Sequence, residues 1–248
     1  SQTSEGRNDN WNSLADRLTF GIWSADKISI TAQTDDKTSG VASVKYYKTG
    51  DTSAKSISEL NNISDWKDFN DFSIESNEQA VVYLKIADKA GNIQYISTDG
   101  MIVDSSAPRV ESIAPEISIN PEQPVNDIYN GDVNVYIEVH EPLEGNTYSG
   151  IKTISYRILN MGKETQSGVL YSFDNSSPVQ SDLQKDWSGN ITVDSELNNS
   201  NDVVIEVYAQ DNSLNSSVNS EQIKIDITKP VIRISYDNNN PDSGKYYN

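Results

Sequence analysis

The chain has 248 residues, 35% of them hydrophobic, no cysteine and a formal net charge of −18. That charge disfavours nucleic acid and anionic membrane surfaces, which need Lys and Arg clusters, and the missing cysteine excludes disulfides, a thiol nucleophile and thiolate zinc sites. No apolar run approaches the roughly 20 residues that span a bilayer.

Residues 1–17 are polar and read as a flexible segment. Regular structure is expected from Leu18 to Trp23. Ile28, Ile30 and Ala32 then alternate with Ser29 and Thr31, the period of a half-buried strand. Asp35, Asp36, Ser39 and Gly40 make a turn by composition, and Val41, Val44 and Tyr46 begin the next strand. In the run from Ala80 to Ala87, Val82, Leu84 and Ile86 are expected in the core, with Tyr83 and Lys85 on the opposite face. A tight turn follows, from Asp88 to Asn92, with Gly91 and Asn92 able to take a left-handed backbone. Met101 and Val103 belong to a last strand, and Asp104 leads to Pro108.

The same grammar returns. Val133, Val135, Ile137 and Val139 alternate; Ser149-Gly150-Ile151 repeats Ser39-Gly40-Val41; Val203 to Gln210 repeats the long strand. Asp211 and Asn215 take the places of Asp88 and Asn92, and Asp226 to Pro230 that of Asp104 to Pro108. Such self-similarity marks a tandem repeat. Asp65-Trp66 aligns with Asp186-Trp187, and Leu214 stands where Gly91 does, so the second turn is expected to differ. Short alternating strands with turn signals between them predict an all-β chain of tandem β-sandwich domains. Their expected spans are 18–109 and 110–232, with 233–248 a linker or the opening of a further repeat, as in a piece of a longer protein.

Ser-Gly-Val/Ile before a strand, a mid-domain Trp, Asp-x-x-Gly-Asn after a strand and Asp-x-x-x-Pro at the exit together resemble the bacterial immunoglobulin-like tandem repeats of Gram-positive surface and secreted proteins. The resemblance implies an extracellular, non-catalytic segment of a cell-surface protein, a monomer serving adhesion or display on a stalk, with a host or microbial surface protein or glycan as partner. It leaves open a host-protein binder, such as one that captures immunoglobulin, a purely structural spacer, or an accessory region of a secreted carbohydrate-active enzyme. For a binder, Tyr47, Tyr95, Tyr148, Tyr171 and Tyr208 are the surface candidates.

Catalytic signals are few. His140 is the sole histidine, and no G-x-S-x-G or phosphate-binding glycine loop is present. Trp66 and Trp187 read as core aromatics, with sugar stacking as the rival role. Asp88, Gly91, Asn92, Asp211 and Asn215 read as structural turn residues. In a sandwich the loops after the second strand and before the last lie at one end. Glu141, Glu144 and Asp211 are therefore expected to meet Asp104 where the copies join. Four carboxylates there suit Ca²⁺, which takes six to eight oxygens, although charge runs are often only solvated.

Overall fold

The computed structural model describes residues 21–235 except 52, 120–121, 146 and 176–177. The expected N-terminal segment, the strand start at Leu18 and residues 236–248 of the expected linker or further repeat lie outside the described residues.

In the first copy, β1 (Ile22–Ser24), β2 (Ile28–Ile30) and β3 (Val41–Thr49) precede a one-turn helix, α1 (Ile57–Asn61). Then come β4 (Lys67–Asp68), β5 (Phe72–Ile74), β6 (Glu78–Asp88), β7 (Ile93–Ser97) and β8 (Met101–Val103). β2 pairs with β5 in one sheet; the other runs β1-β8-β6-β3-β4, with β7 also on β6. Between them Ile74, Ala80, Val82, Met101 and Val103 form a core, joined by half-buried Ile28, Ile30, Phe72 and Leu84.

The second copy contains β9 (Arg109–Pro115), the small pair β10 (Ser118–Ile119) and β11 (Glu122–Gln123), β12 (Ile128–Tyr129) and β13 (Val133–His140). It continues with β14 (Ile151–Asn160), β15 (Lys163–Ser172), β16 (Asp186–Val193), β17 (Ser200–Asp211) and β18 (Ser216–Ile225). Its sheets are β16-β13-β9 and β12-β18-β17-β14-β15. The expected alternation of β13 is its inward face: Val133, Val135, Ile137 and Val139 are all buried. They lie opposite Val193, Ile191, Gly189 and Trp187 of β16. Ile154, Ile158, Ile205, Val207, Ile223 and Ile225 close the same core from the facing sheet. Each such side chain contributes roughly 1.5–3 kcal/mol by leaving water. Both copies thus build immunoglobulin-like sandwiches, with the second and fifth major strands in one sheet and the third, sixth and seventh in the other. Among the described residues the chain is all-β apart from α1 and one 3₁₀ turn at Gln180–Asp182.

Four expectations need correction. First, Val82 is buried, but Leu84 and Ile86 are only half-buried, and Tyr83 on the supposed solvent face is 1% exposed. The stretch between β3 and β4 folds back over that face. A Ser56–Glu59 capping box starts α1, whose Leu60 packs with Val81, Tyr83, Tyr95 and Ile102. Second, Trp66 and Trp187 are not equivalent. Trp66 lies just before β4 in this outer cluster, 5.8 Å from the Tyr95 ring, and donates to the Leu60 carbonyl at 3.3 Å. Trp187 faces the other core from β16, where a side chain on Gly189 would meet its ring at 2.7 Å. The structural counterpart of β16 is β5, which carries no Trp.

Third, the Leu214 turn does not differ from the Gly91 turn. Leu214 takes φ 71° where Gly91 takes 93°. Each donates its N–H at 3.2 Å to the carbonyl of the leading Asp. Left-handed backbone costs a side-chain-bearing residue about 1–2 kcal/mol, and Leu214 is exposed, so its side chain offsets little of that. Leu214→Gly is expected to stabilise the protein by about 1 kcal/mol after the added freedom of the unfolded chain is subtracted; denaturant melts read the change directly.

Fourth, the candidate binding tyrosines are largely spoken for. Tyr95 is buried; Tyr47 and Tyr148 pack in the outer cluster and Tyr171 on the second core. Tyr208 donates to Glu206 at 2.6 Å beneath the Arg157 guanidinium, which itself pairs with Glu206.

Candidate metal centre at the joint of the two sandwiches

The joint is built, not merely spanned. Leu183, Tyr148 and Phe173 of the second copy pack into the cluster formed by Leu60, Val81, Tyr83, Tyr95 and Ile102 of the first. Gln79 and Gln180 exchange amide hydrogen bonds across it, one of 2.6 Å. The first copy therefore does not bury all of its apolar surface by itself.

Asp104 occupies the centre and is fully buried. Its N–H donates to the Ser24 carbonyl at 2.9 Å, which ties it to the first sandwich. One carboxylate oxygen accepts from the Ser106 N–H at 3.0 Å, the other from the Ser149 N–H of the second sandwich at 2.7 Å. The Ser149-Gly150 corner is itself clamped. Gly150 has φ 81°, and a Cβ there would lie 2.9 Å from that of Leu183. Asn212 donates to the Ser149 and Gly150 carbonyls at 2.9 and 3.1 Å.

Asp211 and Asn215 form the turn expected of them. Asp211 accepts from the Asn215 N–H at 2.8 Å and from its side-chain amide at 2.7 Å. That same amide reaches the Asp104 carbonyl at 2.7 Å, so the turn also holds the exit of the first copy. Glu141 follows β13, fixed by its N–H on the Lys185 carbonyl at 2.7 Å. It too is fully buried, yet neither of its carboxylate oxygens receives a hydrogen bond. Oxygens of Asp104, Glu141 and Asp211 all lie within 4.8 Å of one another.

Three of the four acids expected at this place are therefore together. Glu144 is not: it is exposed and accepts from the Asn77 side-chain amide at 3.0 Å. The loop turns it outward through the Glu144–Thr147 bridge, so it belongs to the joint's rim. Sequence reading missed Ser106, Ser149 and Asn77; Ser149 was visible in the Ser-Gly-Ile motif, but its N–H donation to Asp104 was not.

Burial governs the charges. Desolvation first, then the neighbouring Asp211 and Asp104, pushes the Glu141 carboxyl up to about 9. Desolvation first also pushes Asp211 up to about 7, against the opposing Asn215 bonds. The first copy supplies the contrast. Asp88 forms the same turn with Asn92, accepting from its N–H at 2.8 Å and its amide at 2.7 Å. At that exposed turn Asn92 and the other donors hold Asp88 below the usual carboxylate range. Asp36 is likewise lowered by Ser39 and the Thr38 N–H, and Asp35 is exposed. Identical turn chemistry is a solvated loop in one copy and a buried acid site in the other.

His140 lies outside this centre. Its Nδ1 is 2.6 Å from an Asp186 oxygen, a cross-strand pair at the end of β13 and β16.

No family model matches the sequence, and no curated protein matches it. Among solved structures the chain is similar to fibronectin(III)-like modules of CbhA from Clostridium thermocellum, at 11% identity and a TM-score of 0.29, covering 90% of this chain and 98% of that one. It is also similar to the adhesin domain of Epf from Streptococcus pyogenes, at 13% identity and a TM-score of 0.35, covering 85% of this chain and 71% of that one. A DUF3823 family protein from Bacteroides ovatus gives 10% identity and a TM-score of 0.30, covering 82% of this chain and the whole of that one. At these scores the fold assignment rests on the strand pairing above.

Proposed function

We propose that this chain is a non-catalytic, immunoglobulin-like segment of an extracellular bacterial surface protein, a stiff spacer of tandem domains set end to end that holds a binding region away from the cell. The observation that carries this reading is the joint. Asp104 is bonded to both sandwiches, and apolar side chains from both fill the space around it. A chain that needed free hinging would leave such a junction polar and open. The net charge of −18 and the absence of cysteine suit an exterior setting. Among the described residues no helix is long and apolar enough to cross a membrane.

The exit of the second copy supports a repeating design. Asp226 donates its N–H to the Tyr129 carbonyl at 2.8 Å, as Asp104 does to Ser24. Its carboxylate accepts from the Thr228 N–H at 2.8 Å, as that of Asp104 does from Ser106. Asp226 is exposed, prepared in the geometry that Asp104 uses when docked.

Small-angle scattering and backbone relaxation test the spacer role. The expected result is an elongated particle whose halves tumble together, and a gain of independent motion in Leu183→Asp, which places a carboxylate in the apolar part of the joint. Halves that reorient independently in the parent protein would refute a stiff spacer.

A further inference from the structure

We propose that the joint is a divalent-cation site, with Ca²⁺ the ion it fits, held by Asp104 from the first sandwich and by Glu141 and Asp211 from the second. Clustered acids alone are ordinary, and most are solvated. These are different because all three are fully buried and because, among the described residues, four of the five buried side-chain oxygens without a partner belong to Glu141 or to serines close in sequence to Asp104 and Asp211. Both oxygens of fully buried Glu141 have no partner. The buried hydroxyls of Ser106 and Ser213 have none either, and each stands two residues beyond one of the Asp ligands. Buried polar atoms left in this way cost about 1–3 kcal/mol each, more when charged, so their concentration at one place calls for a positive charge.

The donor set selects the ion. It holds oxygen only, with no His or Cys, which favours a hard cation over zinc or copper. Oxygens within 4.8 Å of one another fit a coordination sphere of about 2.3–2.6 Å radius, that of Ca²⁺. Mg²⁺ needs a tighter octahedron at about 2.0–2.1 Å and keeps several waters, for which a centre with three fully buried carboxylates has little room. The N–H groups of Ser106, Ser149 and Asn215 orient the Asp carboxylates and leave lone pairs for a metal. Glu141, with both oxygens open, is suited to bind through the pair.

The ion would bridge the copies, since its ligands come from both. The first copy's own turn lacks the feature that matters: Asp88 and Asp36 are met by their own donors at the surface. One site per chain is therefore expected. The site does not depend on the display role, and a structural spacer without any ligand would still contain it. The rival is a proton, shared between Glu141 and an Asp in place of the metal.

Calorimetric titration of the chelator-stripped 248-residue chain with CaCl₂ at neutral pH separates the two. The expected result is one Ca²⁺ per chain, at least about tenfold weaker binding of Mg²⁺, and a melting temperature raised by Ca²⁺ and lowered again by chelator. Glu141→Gln and Asp211→Asn should lose the heat and the thermal shift, while Asp88→Asn should keep both. Circular dichroism and melting in chelator establish that the variants are folded; Glu141→Gln is neutral and isosteric, and should fold without the ion. No heat and an unmoved melting temperature at millimolar Ca²⁺ would overturn the site in favour of the proton. Undiminished binding in folded Glu141→Gln would overturn the ligand set, and equal Mg²⁺ affinity would overturn the choice of ion.

Discussion

Ile205→Asp is expected to abolish the folded second sandwich and, with it, part of the stability of the first. Ile205 is fully buried in β17, with Ile158 opposite it on β14 and Glu221 on β18. An unpaired carboxylate in that core costs several kcal/mol after whatever relaxation or protonation it finds, of the order of the 5–15 kcal/mol that hold a whole domain. The effect should not stop at the joint. Leu183, Tyr148 and Phe173 pad the aromatic cluster over β6, and the Ser149 N–H holds Asp104. Removing them exposes Tyr83 and Tyr95. Calorimetry should show the transition of the second sandwich gone and that of the first shifted to lower temperature. An unshifted first transition would mean that the packing across the joint contributes no stability.

The second large effect is on pH dependence. In chelator, the protein should lose stability as pH rises from about 4 to about 9. The sign follows from the shifts. Glu141 rises from 4.5 to about 9 and Asp211 from 3.8 to about 7, each chiefly by desolvation. The folded state therefore retains protons that the unfolded state has released. That contribution is whole below the unfolded values and disappears as pH passes through 7 and then 9. The charged groups facing one another here are Asp104, Glu141 and Asp211. Glu141→Gln removes the largest part of the slope, and its amide can donate to either Asp. In chelator at alkaline pH it should be more stable than the parent by on the order of 2 kcal/mol. Saturating Ca²⁺ should flatten the parent's profile, because the ion favours the charged carboxylates. Melting temperatures across this pH range, with and without chelator, check each part. A stability that climbs with pH in chelator would show the three acids to be compensated by something other than protons.

Local patterns were enough for much of this protein. Period two in Val133 to Val139 marks an inward face whichever strand pairs with it, because side chains of a strand alternate strictly. Recurrence of Asp-x-x-x-Asn after a strand and Asp-x-x-x-Pro at the exit follows from backbone bonds made within a few residues, so the turns at Asp88 and Asp211 and the caps at Asp104 and Asp226 were legible. The meeting of Asp104, Glu141 and Asp211 was legible too, since sandwich topology brings those loops to one end. What a stretch of chain does after leaving its strand was not. Whether the outer face of β6 carries a covering depends on where the chain between β3 and β4 travels and on what Leu183 brings from about a hundred residues away. Sequence around Tyr83 is therefore equally consistent with an exposed or a buried ring. Register over variable loops is similarly silent, which is how Trp66 and Trp187 share a spacing but not a place. Leu214 shows the remaining case: local preference argued against a left-handed residue, and the hydrogen bonds from Asn215 to Asp211 and to the Asp104 carbonyl of the first copy overrode it. Alternation and short-range bonding belong to the sequence alone, whereas burial of a face, and hence the protonation of its acids, is decided by segments that only the tertiary structure brings together.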